Sequence, residues 1–338
     1  MARRREREAA REAAARTLGA LHGLADRPRE QARYALELME TERDLGVVGA
    51  AADALAVVAD ASTRPGLHRV FATLGADATK RDPGCHTRMA LLRALRPIAT
   101  PEDTLFLAVA CETYEYLPTG GGPEEVAQGL RGLALVILAE VDEILAAFHA
   151  ARLLVDPRTP RMSGEPAATA ARTLTAQGHL LPLYGYALGS GAVPEVLAEC
   201  LRGLGDLPPS LLSAVIELHL GSEDETVLLG LFDLLLSPRH RGTGVGIALE
   251  YVRETDRLDL ARYLATTLVA SRDAEIIARL EGLERELGTG VKGRLVGEAL
   301  GVAMNDDRIH ASGAVQCIGH WAMKMKGNTN GTHRRIGD

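Results

Sequence analysis

The chain is 338 residues long, 46% apolar but only 4% aromatic, with a net charge of −7. It can bury a sizeable core in one elongated array or two compact domains, and Leu, Ala and Val as the core builders favour closely packed helices. Its acidity excludes a global positive field that would draw it to nucleic acid, although residues 1–100 hold 17 Lys and Arg against 13 Asp and Glu, which leaves room for an acidic partner at that end.

Residues 1–27 open with Arg3, Arg4, Arg5, Arg7 and Arg11 alternating with Glu6, Glu8 and Glu12. Glu8–Arg11 and Glu12–Arg16 lie at helical spacing, which predicts a solvated N-terminal capping helix with internal ion pairs. The acids and the missing apolar core argue against a signal or transit peptide. No apolar run reaches the roughly 20 residues that span a bilayer. Cys85, Cys111, Cys200 and Cys317 form no CxxC pair, and most stand among apolar neighbours, as buried thiols do. The expectation is a soluble, cytoplasmic protein with no membrane association and no cofactor.

From residue 28 to 305 apolar residues recur every three or four positions, and Gly, Pro or Asp interrupts them every 12–16 residues. No strand pattern stands out. Helices are expected over 46–60, 63–75, 83–99, 101–117, 123–141 and 143–154, and the alternation continues from Gly164. The odd members start near 46, 84, 123 and 165, a period close to 40 residues. "LLVDPRTPRMSGEPAATAARTL" and "LLLSPRHRGTGVGIALEYV" share an apolar helix end, an Asp/Ser-Pro-Arg turn and a small-residue helix, with Pro157 and Pro238 two periods apart. Residues 306–325 are expected to cap the array, and residues 326–338, without apolar periodicity, to form a flexible tail.

These units, with first helices such as "AADAL" and "AATAARTL" and Asp/Pro-containing turns, resemble HEAT repeats. The resemblance implies an all-α, right-handed α-solenoid of stacked antiparallel helix pairs over residues 28–305. It brings no catalytic residues with it. What it implies for function is a non-catalytic scaffold that holds a protein or peptide partner on its concave face. Alternatives are nucleic-acid binding, or action on DNA bases, through loop arginines, and an enzyme resembling the bilin lyases with HEAT-like folds.

Several motifs bear on that choice. "GTGVG" at 242–246 has spacing G-x-G-x-G rather than G-x-G-x-x-G, so it reads as the bend between two helices. Arg158, Arg161, Arg239, His240 and Arg241 occupy equivalent turns two periods apart, where a basic ridge would meet phosphates or an acidic segment and a solvated edge is the plainer explanation. Tyr114 and Tyr116, and Tyr184 and Tyr186, stand near the ends of second helices as candidate contact residues. His310, Cys317 and His320 share one helical face, but the neighbouring glycines and the lack of an acidic partner favour packing over metal.

Overall fold

The computed structural model describes residues 2–158, 163–189 and 192–301. They are mostly α-helical. The chain divides into two compact units, Met1–Leu234 and Leu235 onward.

The first unit begins with α1 (Ala2–His22) and α2 (Pro28–Thr41), which pack on each other and, with α3 (Leu45–Val58), start the core. Aspartates set several of the helix starts. Asp44 accepts the amides of Gly46 and Val47 at the head of α3, and a capping box of Asp60 and Thr63 precedes α4 (Arg64–Gly75). Then come the single turn α5 (Ala78–Arg81), α6 (His86–Leu95) and α7 (Thr104–Cys111). Thr100 and Asp103 make a capping box around Pro101, and a short 3-10 turn leads from it into α7. Further on are α8 (Gln128–Val141), α9 (Glu143–Leu154), α10 (Ala167–Ala176) and α11 (Leu180–Ala187). The unit closes with α12 (Pro194–Gly203), α13 (Pro209–His219) and α14 (Glu225–Leu235).

Two rows of helices result. Helices α3, α6, α8, α10 and α12 pack each on the next. The first four start at residues 45, 86, 128 and 167, close to the spacing read from the sequence. Helices α7, α9 and α11 pack side by side as a second row against the first. The buried interior between the rows is Leu, Ala and Val, as at Leu107, Leu135, Ala146, Leu153, Leu183 and Val196. Each fully buried Leu contributes about 1.5–3 kcal/mol, which helices this short need from their neighbours.

A repeated device ties successive units. A basic side chain near the end of one helix bonds the C-terminal carbonyls of a helix 32–42 residues earlier. Arg81 donates to the carbonyls of Met39 and Glu40, Arg152 to that of Cys111 at 2.9 Å, and the His219 ring lies 2.7 Å from that of Ala187. Such donors satisfy orphan carbonyls and oppose the negative end of the helix dipole. They also fix direction: the C-terminal ends of α7 and α9 are adjacent, as are those of α11 and α13, while Gln177 before α11 donates to Glu143 at the start of α9. The four helices run parallel.

Two local expectations are corrected. The helix expected over 101–117 stops at Cys111, and Tyr116–Thr119 and Gly122–Glu125 form an antiparallel hairpin, β1 and β2, pairing Tyr116 with Glu125. That hairpin takes Pro123–Glu125 out of the helix expected from residue 123, so α8 starts at Gln128. Strands of four residues around a glycine turn are too short to show a period of two. The second correction concerns "GTGVG". In the second unit α15 (Arg241–Glu254) begins before these glycines, and the bend lies at 236–240. Gly244 is there for close approach, because a Cβ would collide with the Leu235 carbonyl.

The second unit continues with α16 (Leu258–Ala270), α17 (Ala274–Leu287), capped by Asp273, and a helix over 291–301. Here Lys292 repeats the cross-unit device, donating to the carbonyls of Arg253 and Thr255. Among the described residues no helix is long and apolar enough to cross a membrane. The segments expected at 306–325 and 326–338, with His310, Cys317 and His320, lie outside the described residues.

Candidate functional site

The foot of the hairpin holds the densest polar cluster of the first unit. Arg131, on α8, is fully buried and donates to Glu125 through both terminal nitrogens, at 2.9 and 3.0 Å, and to the Thr113 carbonyl at 3.0 Å. Its guanidinium lies 4.1 Å from the centre of the Tyr114 ring, and that of Arg158 lies 4.5 Å from it. The Tyr114 hydroxyl donates to Asp156 at 2.8 Å and accepts from Arg152 at 3.1 Å. Asp156, also buried, sits 3.7 Å from Arg131 and accepts the Arg158 amide at 3.0 Å. Tyr114 thus ties α8, the end of α9 and the turn beyond it to the hairpin.

A second buried cluster adjoins it. Arg88 on α6 is bonded to Asp82 at 2.9 Å and to both oxygens of Glu115, and Asp82 also accepts the amides of Thr87 and Arg88. Burial works against the Arg88 charge, but the bonds to Glu115 and Asp82 outweigh it and raise its pKa. Cys85 touches the same Glu115 and Arg88, and burial pushes its thiol up to about 12 against the pull of Arg88. Burial takes Cys111 and Cys200 to about 12 as well. These thiols are buried, unpaired and protonated, which suits packing rather than nucleophilic chemistry.

From α6 onward the two helix rows differ at their surfaces, although α3 at the head of the first row also exposes Leu45 and Val57. Along the first row charges pair between neighbours: Arg96 with Glu140, Arg172 with Glu165 and Glu199, Arg202 with Glu199 and Asp233. This is a solvated face. The second row instead leaves large apolar side chains in water at helical spacing. Leu105 and Val109 stand out on α7, and Ile144, Phe148 and Val155 along α9, with Phe148 72% exposed. Leu181 and Leu188 continue the stripe on α11, where Leu181 is 85% exposed, and Leu211 and Leu218 on α13. Because α7, α9 and α11 are parallel, adjacent and buried on the opposite side, their stripes share one face. Exposed large apolar side chains gathered on one face are uncommon on a soluble monomer, where they normally stand singly.

The residues singled out from the sequence fall in several places. Tyr114, Tyr116 and Arg158 come together at the hairpin foot, with Tyr116 44% exposed. Arg161 lies outside the described residues. Tyr186 uses its hydroxyl to accept the Val193 amide at 3.1 Å, fastening the turn between α11 and α12, and burial raises its pKa; Tyr184 is half-buried on the same helix. In the second unit Arg239 is exposed, Arg241 lines a cavity of about 250 Å³ with Val245 and Leu268, and His240 is buried. A buried His240 cannot serve on a basic ridge, because its ring packs inward as α15 starts. Sequence reasoning passed over Arg131, Glu125, Asp156 and the exposed stripe. A lone arginine inside "GLRGLALVILAEV", with no helical partner, was the available sign of a buried ion pair.

No family model, curated protein or solved structure matches the chain. Among the described residues no three His, Cys, Asp or Glu side chains converge as metal ligands do.

Proposed function

We propose that the chain is a helical-repeat scaffold of HEAT-like, α-solenoid type, and that it holds a protein or peptide partner on the face formed by α7, α9, α11 and α13. The near-40-residue spacing of α3, α6, α8 and α10, their serial packing and the basic ties between units support the repeat reading. The single observation that carries the binding role is the asymmetry between the rows. One face is laced with ion pairs, whereas the other exposes Leu105, Val109, Ile144, Phe148, Leu181 and Leu188. Leaving these side chains in water costs about 1.5–3 kcal/mol each relative to burial, a cost a partner removes. A cytoplasmic setting goes with this reading, since buried thiols need no oxidising compartment.

Panning a random peptide library on the purified protein, with Phe148→Asp as counter-selection, tests the proposal. Enriched peptides should be rich in apolar residues, and their affinity, read by fluorescence anisotropy, should fall at least about tenfold on Phe148→Asp or Leu181→Asp. Peptides that bind both variants as tightly as the native chain would refute the face.

A further inference from the structure

The apolar face is not electrically uniform, and its charges say what kind of partner it suits. Along α9 the exposed stripe starts beside Glu143 and runs through Ile144 and Phe148 to Val155. At that far end stand two arginines. Arg152 is 38% exposed; two of its nitrogens are engaged by Tyr114 and the Cys111 carbonyl, and its Nε, with Glu112 4.0 Å away, is itself buried, so a partner meets only the exposed part of its terminal nitrogens. Arg158 is 51% exposed, and its nearest carboxylate, Asp156, is 3.9 Å off, beyond hydrogen-bond reach. Asp156 is already matched by the Tyr114 hydroxyl and by Arg131. Arg158 is therefore a half-exposed arginine lying over the Tyr114 ring, with Tyr116 beside it, and its ion pair with Asp156 is a loose one without a hydrogen bond.

An arginine held over an aromatic ring loses less freedom when it meets a carboxylate, and its planar fork matches that group. Resting on the reading of this face as a partner site, we propose that its occupant is an amphipathic peptide segment whose apolar side chains are followed by an acidic run, seated on Ile144 and Phe148 with its carboxylates at Arg152 and Arg158. The apolar side chains supply most of the affinity, and the arginines choose the partner and its direction.

Two fluorescein-labelled 14-residue peptides test this. Both carry Leu and Phe at i, i+3, i+4 and i+7, and one ends in three glutamates, the other in three lysines. At low salt the glutamate peptide should bind about tenfold more tightly, the ratio that two exposed pairs of up to about 1 kcal/mol each can produce. Arg158→Glu should erase or invert the preference, while Arg158→Lys should keep part of it. Phe148→Asp should weaken both peptides alike. Equal binding of the two peptides, a preference unchanged in Arg158→Glu, or no binding of either peptide would overturn the proposal. So would uptake by phosphatidylserine vesicles in place of the peptides. If Phe148→Asp abolishes binding while the tails make no difference, the apolar face stands and the choice of an acidic partner fails. If the glutamate preference survives Phe148→Asp with no loss of affinity, the apolar face itself is wrong.

Discussion

Replacing Arg131 with Met should do more local damage than any change to a surface ion pair. Arg131 is fully buried and meets Glu125 through two hydrogen bonds, Asp156 at 3.7 Å, and the Thr113 carbonyl. Methionine would fill much of the volume but leave Glu125 and Asp156 buried without their countercharge. Breaking a buried pair from one side costs about 3–5 kcal/mol, and a tenfold change corresponds to about 1.4 kcal/mol. The loss is thus on the order of a hundredfold to a thousandfold in the opening equilibrium. Because the chain has two compact units, a global melting midpoint would mix their responses. Hydrogen exchange followed by mass spectrometry on peptides covering the hairpin and α8 reads the effect where it arises. Adding Glu125→Gln to Arg131→Met should recover part of the protection, since one unpaired charge is then gone. Arg96→Met, which breaks the exposed pair with Glu140, is the control and should shift exchange by less than about 1 kcal/mol. If Arg131→Met changes protection no more than Arg96→Met does, the cluster does not hold the hairpin and the reasoning is wrong.

Two further outcomes follow from packing and from protonation. Gly230→Ala should destabilise the first unit by about 1–3 kcal/mol, because a Cβ there would lie 2.6 Å from Ala198 Cα and 2.7 Å from its carbonyl oxygen; Gly185→Ala on open α11, with nothing within 4 Å, should be neutral or stabilising, and hydrogen exchange on peptides of the first unit that ranks the two the other way refutes the helix contact. Burial, helped by Arg152 and opposed by Glu112, lowers the His149 pKa below its ordinary 6.5. The unfolded chain then takes up a proton that the folded one refuses, so this contribution is complete above about pH 6.5 and shrinks as pH falls towards the folded value. His149→Gln should therefore flatten the decline in hydrogen-exchange protection of α9 peptides between pH 7 and pH 5.5, after correction for the intrinsic pH dependence of exchange, and an unaltered slope would show that the ring is not kept neutral.

Much of the helical framework was legible in the chain itself. Apolar spacing, with Gly, Pro and Asp as the interruptions, located α3, α4 and α9 to within two residues and the end of α8, because these signals act over one or two turns. The near-40-residue rhythm was visible for the same reason. What only tertiary structure decided are contacts between residues 20–45 apart in sequence, which no local pattern encodes. Arg131 stands alone in an apolar run, and only the fold brings Asp156, 25 residues on, to join nearby Glu125 around it. Tyr114 and Tyr116 read as a helix end, yet they belong to the hairpin and its foot, and the guanidinium of Arg158 reaches the Tyr114 ring across 44 residues. Nor could the sequence tell Phe148, in water, from Leu153, in the core: both are apolar residues of one helix, and which side meets neighbours depends on where α7, α8 and α10 pack. Local propensity chose the helices; burial, a property of the whole assembly of helices, chose which of their faces stay in water.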